Sequence, residues 1–434
     1  MIDQKNQRQE PRPRSGEAPF NIGEVFYSRT DDRGIIQSGN YVFRRVAHFD
    51  WEELIGAPHK VIRHPDMPKG VFHLFWDQLK RGKMIGAYVK NRSKDGLFYW
   101  VFAVAMPWQG GFLSARIKPT SARLEQVKRL YAKMLDREQT GEISPEASAQ
   151  FLINELGSMG FESYEDFATD SLAEELLSEA KNLGLPPIAR VQLSRGMLEK
   201  AEELRAHTDG LSSEFETLSG IPINMQIRAT RLENKGGPIM TLAQTYGEMS
   251  QQLSEWFAKN VVGADSNFSR ISDNIKEALF LNSAAGILHR CNAQLQAERR
   301  DLGTVDLKEE REGLVKLADG YIRQAQESTG AVVIEAERIR AACKEMRRSL
   351  LALDTVRVTC NIENARLGNR ADGLGDIVAS LAETQASVAG NLDQIETTIT
   401  KVIAQADAIR SQNNEETSPV LLYGEKMARA LQSA

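Results

Sequence analysis

The chain has 434 residues, of which 41% are hydrophobic and 26% charged, and its formal net charge is −5. These values are typical of a water-soluble protein of two or three domains with a full apolar core. Residues 24–118 hold 15 Lys and Arg against 9 Asp and Glu, so the longer C-terminal part is acidic, which argues against a nucleic-acid partner. The longest apolar run is too short for a membrane span and no signal peptide is visible, so we expect a cytoplasmic protein.

Residues 1–20 are polar and rich in Gln, Arg and Pro, and we predict a disordered tail there. Residues 21–120 have the pattern of one domain, in which two strands are followed by short helices and then by three strands. We predict strands at 24–30, 35–37, 84–91, 97–106 and 112–118, and helices at 40–49, 51–54 and 67–81. The sequence therefore predicts an α+β domain with a five-stranded antiparallel sheet and helices on one face.

No convincing strand follows residue 120, and the rest of the chain is predicted to be all-α. Residues 121–187 read as short helices that link two domains, with Ser144 as the N-cap of one helix and Pro145 in its first turn. Residues 188–415 show apolar residues at alternating spacings of three and four, which favours coiled-coil packing. The first of four such series is Met197, Ala201, Leu204, Thr208, Leu211, Phe215 and Leu218.

An internal repeat suggests how these helices are arranged. Residues 227–235 match residues 362–370, and each copy stands between two helical segments with glycine near the turn. Two antiparallel hairpins, with tips near 234 and 369, would pack as a four-helix bundle. Whether one chain or a homodimer completes the bundle is left open, and residues 416–434 are predicted to be a C-terminal tail.

Three motifs of the first domain carry a resemblance to a known family. They are Arg63-His64-Pro65-Asp66-Met67-Pro68, Val89-Lys90-Asn91-Arg92 and Tyr99-Trp100-Val101. Together they resemble the PAS domain of the bacterial aerotaxis receptors, which binds FAD non-covalently and reports its redox state. One departure is Ile85, which stands where that family usually has a tryptophan.

The resemblance implies a flavin site in this domain. It places Arg63, His64, Asp66 and Asn91 at the cofactor. A flavin ring needs a mostly apolar slot with a few fixed polar groups, and Trp76, Trp100 and Phe102 are candidates for its walls. The expected mechanism is that flavin reduction changes hydrogen bonds around the cofactor and shifts the helix that begins near Ser121.

Each of these residues also has a structural interpretation. Asp66 would equally serve as the N-cap of the following helix, and Trp100 as a core residue of its strand. A haem-binding PAS domain, with a histidine as axial ligand, ranks below flavin, and a cofactor-free PAS scaffold is a further alternative. We expect no metal site, because the histidines and the three cysteines lack metal-like spacing. No catalytic motif stands out, so we expect a sensor rather than an enzyme.

The second copy of the repeat, together with the turn that follows it, resembles a degenerate hairpin tip of methyl-accepting chemotaxis proteins. The resemblance rests on residues 362–368, Gly373 and Ile377-Val378. It implies protein partners for the helical region, namely a chemotaxis kinase, its coupling adaptor or homologous receptors.

Overall fold

The structure, a computed structural model, describes residues 12–141, 143–232, 237–260, 267–298, 306–367 and 374–413. Among these residues, those up to Gln192 and Glu277–Ala325 form one compact unit, here called the sheet unit. Leu193–Lys276 and Gln326–Ser411 form the second, here called the helical unit.

An antiparallel sheet of five strands in the order β2-β1-β5-β4-β3 organises the sheet unit. Its first turn is set by Asp31, whose carboxylate accepts the backbone N–H groups of Arg33 (3.0 Å) and Ile35 (2.8 Å), while Gly34 takes a positive φ of 78°. The strands agree with prediction to within about two residues. They are β1 (Phe26–Asp31), β2 (Ile36–Gly39), β3 (Ile85–Arg92), β4 (Phe98–Trp108) and β5 (Gly111–Ile117).

Short helices cover one face of the sheet, which we call the inner face. Asn40 caps the first of them, because its side-chain oxygen accepts the N–H of Phe43 (3.1 Å) and also that of Tyr27 (3.0 Å). The capping residue thus ties the helix to the first strand. The inner helices are α1 (Tyr41–Ala47), α2 (Trp51–Leu54), a 3₁₀ turn (His59–Ile62) and α3 (Lys69–Lys80).

The other, outer face is covered by helices that the sequence predicted as a linker. Tyr131 donates its hydroxyl to the carbonyl of Tyr88 (3.0 Å), and Tyr164 donates to that of Gly86 (3.0 Å). The linker prediction for 121–187 is therefore wrong, because alternate residues of β3 and β4 give the sheet a second apolar face that must be buried. α4 (Arg123–Gln139) and α6 (Tyr164–Asn182) lie on this face, whereas α5 (Pro145–Ser158) packs on α3, where a Cβ atom at Gly70 would lie 2.6 Å from the backbone nitrogen of Ala149. Ser144 caps α5 as predicted.

Parts of two long helices also belong to the sheet unit, although the sequence assigned all of 188–415 to the bundle. The helices are α9 (Asn267–Ala297) and α10 (Leu307–Leu367). Arg290 of α9 forms a buried two-bond ion pair with Glu179 of α6, with both distances 2.7 Å. Residues 278–291 of α9 are buried on nearly every side, which fits a core helix rather than an amphipathic bundle helix.

The predicted disordered tail is wrong in its second half. Ala18 and Phe20 are buried, Ala18 donates its N–H to the carbonyl of Phe98 (2.7 Å), and Arg12 pairs with Asp95 (2.7 Å). Two apolar side chains among polar residues were enough to dock this segment on the sheet. The remainder of the predicted tail lies outside the described residues, as does the C-terminal tail 416–434.

The helical unit buries the predicted heptad seams in one core. All seven residues of the series from Met197 to Leu218 are buried, and apolar residues of five helices share the core within a single chain. Gly210 lies against Asn391 and Glu214 bonds to Ser387 (2.7 Å), so the first and last helices run antiparallel. The predicted tips near 234 and 369 lie outside the described residues. The three further helices are α7 (Ala189–Leu232), α8 (Pro238–Asn260) and α11 (Leu374–Asn413).

The close packing of α10 on the outer face is testable at Gly313. A Cβ atom at this position would lie 2.4 Å from the indole of Trp108, whereas one at Gly320 of the same helix would meet only the end of Arg323 at 3.9 Å. We expect G313A to lower the free energy of unfolding by about 1–3 kcal/mol through overpacking. G320A should leave it unchanged or raise it by up to about 1 kcal/mol. Urea unfolding followed by tryptophan fluorescence measures both, and equal effects would contradict the packing.

Candidate functional site

A cavity lies in the sheet unit between the inner face of the sheet and α3, and it has a volume of about 110 Å³. One wall is aromatic and comes from α3, with Phe72, Phe75 and Trp76 spaced along one side of the helix. Trp76 is held by an edge-to-face contact with Phe112 of β5, at 5.4 Å between ring centroids. The opposite wall is the sheet itself, where Ala103 and Ala105 leave room because their side chains are small.

The sequence predicted six site residues. Three of them line this cavity, namely Arg63, Trp76 and Asn91. Arg63 and Asn91 pair through a backbone bridge, which brings the end of the 3₁₀ turn next to β3. The Arg63 guanidinium lies 3.8 Å from the centre of the Phe72 ring, and burial lowers the pKa of Arg63 while nearby Glu138 raises it. Asn91 and Arg63 thus both line the cavity and are adjacent through their backbones.

His64 and Asp66 do not line the cavity. The Asp66 carboxylate accepts a hydrogen bond from Lys90 (2.6 Å) and is 55% exposed, while the Asp66 N–H donates to Nδ1 of His64 (3.1 Å). Burial lowers the pKa of His64, and the positive charge of Lys90 lowers it further. These two residues form a polar turn beside the cavity rather than part of its wall.

The alternative role of Asp66 as a helix cap is also wrong. α3 begins at Lys69, and the carboxylate of Glu138 in α4 accepts the N–H groups of Lys69 (2.8 Å) and Gly70 (3.0 Å). A distant glutamate therefore satisfies the free donors of the helix N-terminus and brings its charge to the positive end of the helix dipole. Only the tertiary fold brings that carboxylate there.

Trp100 lies on the outer face and does not line the cavity, contrary to its place among the predicted wall residues. Side chains alternate along β4, so that Val101, Ala103 and Ala105 share the inner face while Trp100 and Phe102 share the other. The Trp100 ring packs on Tyr131 of α4, at 6.2 Å between ring centroids. Its interpretation as a core residue is the correct one.

Sequence reasoning missed the polar floor of the cavity, which is formed by Arg116, His59 and Ser28. Nη2 of Arg116 donates to the Ser28 hydroxyl (2.7 Å) and lies 2.6 Å from Nε2 of His59. Burial lowers the pKa of Arg116 to about 10, and burial together with the Arg116 charge lowers that of His59 to about 3. The strand alternation that puts Arg116 on the inner face of β5 was the only signal available.

Because Nε2 of His59 accepts from Arg116, the proton of the neutral ring is on Nδ1. The lone pair that would bind a haem iron is therefore already engaged. Within the described residues, no three His, Cys, Asp or Glu side chains are placed to hold a metal ion. The three cysteines are buried free thiols.

The donor set fits a flavin in its chemistry. The cavity offers an aromatic wall, an amide and a guanidinium donor, and a buried Arg116 whose Nη1 has no hydrogen-bond partner among the described residues. Its volume, however, is below the roughly 150 Å³ of a cavity that holds one benzene, so a three-ring isoalloxazine enters only if the α3 side chains move outward.

The sheet and its inner helices belong to a known class of domain. Residues 39–111 match the family model of the PAS fold. The five-stranded sheet with its inner helices and cavity is accordingly a PAS domain.

The particular similarity is to the aerotaxis receptor of Escherichia coli (strain K12). The two chains are 38% identical over 118 residues, which are 26% of this chain and 23% of the receptor. The resemblance seen in the three motifs is thus confirmed for the PAS domain, and the chain spans under a quarter of the receptor it matches. Among the helices in the described ranges, none has both the length and the apolarity needed to cross a bilayer.

The buried neutral His59 predicts a pH dependence of stability. Its pKa is lower in the folded than in the unfolded state, so the unfolded chain alone takes up the proton below about pH 6.5 and stability falls as pH falls. Between pH 7 and pH 5.5, His59 should lower the free energy of unfolding by about 1 kcal/mol. The H59N variant should lack this part of the pH dependence. Urea unfolding at both pH values measures the difference. H73N, at a side chain that is 37% exposed, is the control and should keep the wild-type dependence.

Proposed function

We propose that this protein is a cytoplasmic sensor of redox, oxygen or energy state, in which the PAS domain binds FAD and signals to a helical output region. The observation that carries the proposal is the cavity on the inner face of an aerotaxis-receptor-like PAS domain, with an aromatic wall and fixed polar groups. Flavin would supply reversible redox chemistry there. Arg63 and Asn91 would donate hydrogen bonds to its ring edge, and Trp76 would pack on its face.

The outer face supplies a route from this cavity to the helices. Along β1, Ser28 faces the cavity, whereas its neighbours Tyr27 and Arg29 face α10. The Tyr27 hydroxyl and the Arg29 guanidinium both donate to the buried carboxylate of Glu310, the latter at 2.7 Å. A shift of β1 that follows a change in the cavity therefore acts directly on α10.

The helix that follows the domain in sequence offers a second route. The backbone N–H groups of Thr120 (2.6 Å) and Ser121 (3.0 Å) donate to Glu175 of α6, which also accepts from the Tyr88 hydroxyl of β3 (2.7 Å). This supports the expectation that the segment near Ser121 responds to the sheet. α10 is nevertheless the stronger candidate, because this single helix of 61 residues has parts in both units.

In this proposal the output is protein binding rather than catalysis. The helical unit would present a surface to a chemotaxis kinase, its coupling adaptor or homologous receptors. Two copies of this chain would also associate as a homodimer. The aerotaxis receptor of Escherichia coli supports this context only through its PAS region.

A cofactor-free PAS scaffold is the second candidate, and one observation favours it: the cavity volume of about 110 Å³ is small for a flavin. In this case the domain would serve protein association alone. A haem sensor has less support, since Nε2 of His59 is already engaged by Arg116.

The absorption spectrum of the purified full chain separates these candidates. We expect flavin bands in the wild type, and at least about tenfold weaker flavin binding in N91A and W76A, because each removes a contact worth about 1.4 kcal/mol. W100F changes the other predicted tryptophan, on the outer face, and should bind flavin as the wild type does. A colourless protein that takes up no added FAD would leave the scaffold, and a Soret band would support haem.

The contact of Tyr27 with Glu310 predicts where the signal passes. Hydrogen exchange of backbone amides in 307–325 should differ between oxidised and dithionite-reduced flavin-bound protein, and Y27F should reduce that difference by at least half. Y99F is the matched control, since the Tyr99 hydroxyl is buried without a hydrogen-bond partner among the described residues and its removal costs little. Equal behaviour of Y27F and wild type would exclude this route while leaving flavin binding intact.

A further inference from the structure

Arg116 is a buried cation to which no carboxylate of the described residues is paired. The residue is 3% exposed, and the partners of its Nη2 atom, the Ser28 hydroxyl and the His59 ring, are both neutral. Its Nη1 atom is buried and has no hydrogen-bond partner in the part of the chain that the structure describes. The centre of the Phe43 ring lies 5.5 Å from the guanidinium carbon. Such a charge is costly to bury and is normally compensated by an acidic group.

The charged residues that line the cavity beside it are all basic. Lys60 and Arg63 also line it, and none of its 17 lining residues is an aspartate or a glutamate. The other ionisable group on the floor, His59, is neutral near pH 7 because burial lowers its pKa. A cavity with three basic residues, one of them fully buried and lacking a counter-ion, is built for a ligand that carries negative charge or strong acceptors at its buried edge.

We propose that Arg116, which His59 and Ser28 hold in position, donates hydrogen bonds to the buried edge of the bound ligand. Its positive charge then compensates the negative charge of that ligand. With flavin as the ligand, an inference that rests on the proposed function, Arg116 would hold the acceptor-rich pyrimidine end of the ring. Uptake of two electrons and one proton from a chemical reductant leaves one negative charge on that end. Arg116 then stabilises the reduced form more than the oxidised form, so this residue raises the midpoint potential of the bound flavin.

The flavin arm of the test compares the two redox states in R116Q and R116K. We expect R116Q to bind oxidised flavin within about threefold of wild type and reduced flavin at least tenfold more weakly. A tenfold change is about 30 mV in the midpoint potential of a two-electron couple. R116K keeps the charge and should restore at least half of the shift. R123Q, at an arginine paired with Asp170 and Glu174 on α6, is the control and should keep the wild-type potential. An unchanged potential in R116Q would overturn the inference and leave flavin binding standing.

The second arm needs no flavin, so its result is independent of the proposed function. Benzoate is a planar aromatic anion with one ring against the three of a flavin, so it needs a smaller outward movement of the α3 side chains. It is added to the flavin-free full chain, with benzyl alcohol as the neutral probe. We expect benzoate to raise the thermal midpoint of wild type and R116K, and to leave R116Q unchanged, while benzyl alcohol does not distinguish the three proteins. If benzoate stabilises R116Q as much as wild type, Arg116 has only a structural role, even where flavin binds elsewhere in the cavity.

Discussion

The alternation of side chains along β1 is the constraint on which the rest of the sheet unit depends. Ser28 points to the cavity and bonds to Arg116, while Tyr27 and Arg29 point to the other face and bond to Glu310. Because successive residues of a strand face opposite sides, a displacement of one strand changes both environments together. The strand is thus the physical element common to the ligand cavity and to α10.

Buried carboxylates fix the helices on the outer face. Glu175 and Glu179 lie one helical turn apart on α6 and are both fully buried. Glu175 accepts from Tyr88 of the sheet and from the start of the α4 segment, whereas Glu179 pairs with Arg290 of α9. Breaking a buried charged pair by removing one partner is strongly destabilising, so each contact specifies one register of helix against sheet. An apolar interface alone would allow neighbouring registers.

The helical unit is held together differently. Its core is a series of small and large apolar residues on five helices, with Thr208, Thr384 and Thr398 as polar members. Buried threonines on these helices donate to carbonyls within their own helix, as Thr208 does to Leu204 (2.8 Å), so they need no partner from another helix. Heptad spacing and side-chain volume set the packing of this core, and Arg347 of α10 adds ion pairs to Asp393 and Glu396 of α11.

The sequence by itself determined the strands, the inner helices, the heptad seams and the PAS resemblance, and it placed Arg63, Trp76 and Asn91 at one site. The strands, helices and seams depend on residues close in the chain, whose periodicity and turn chemistry can be read directly, whereas the site residues were implied by the resemblance. Only the tertiary structure decided that Trp100 faces away from the cavity, that Arg116 forms its floor, and that α9 and α10 belong to the sheet unit. The place of α9 and α10 depends on pairs such as Tyr27 with Glu310 and Glu179 with Arg290, which are more than 100 residues apart and have no local signature. The fold alone brings such groups together.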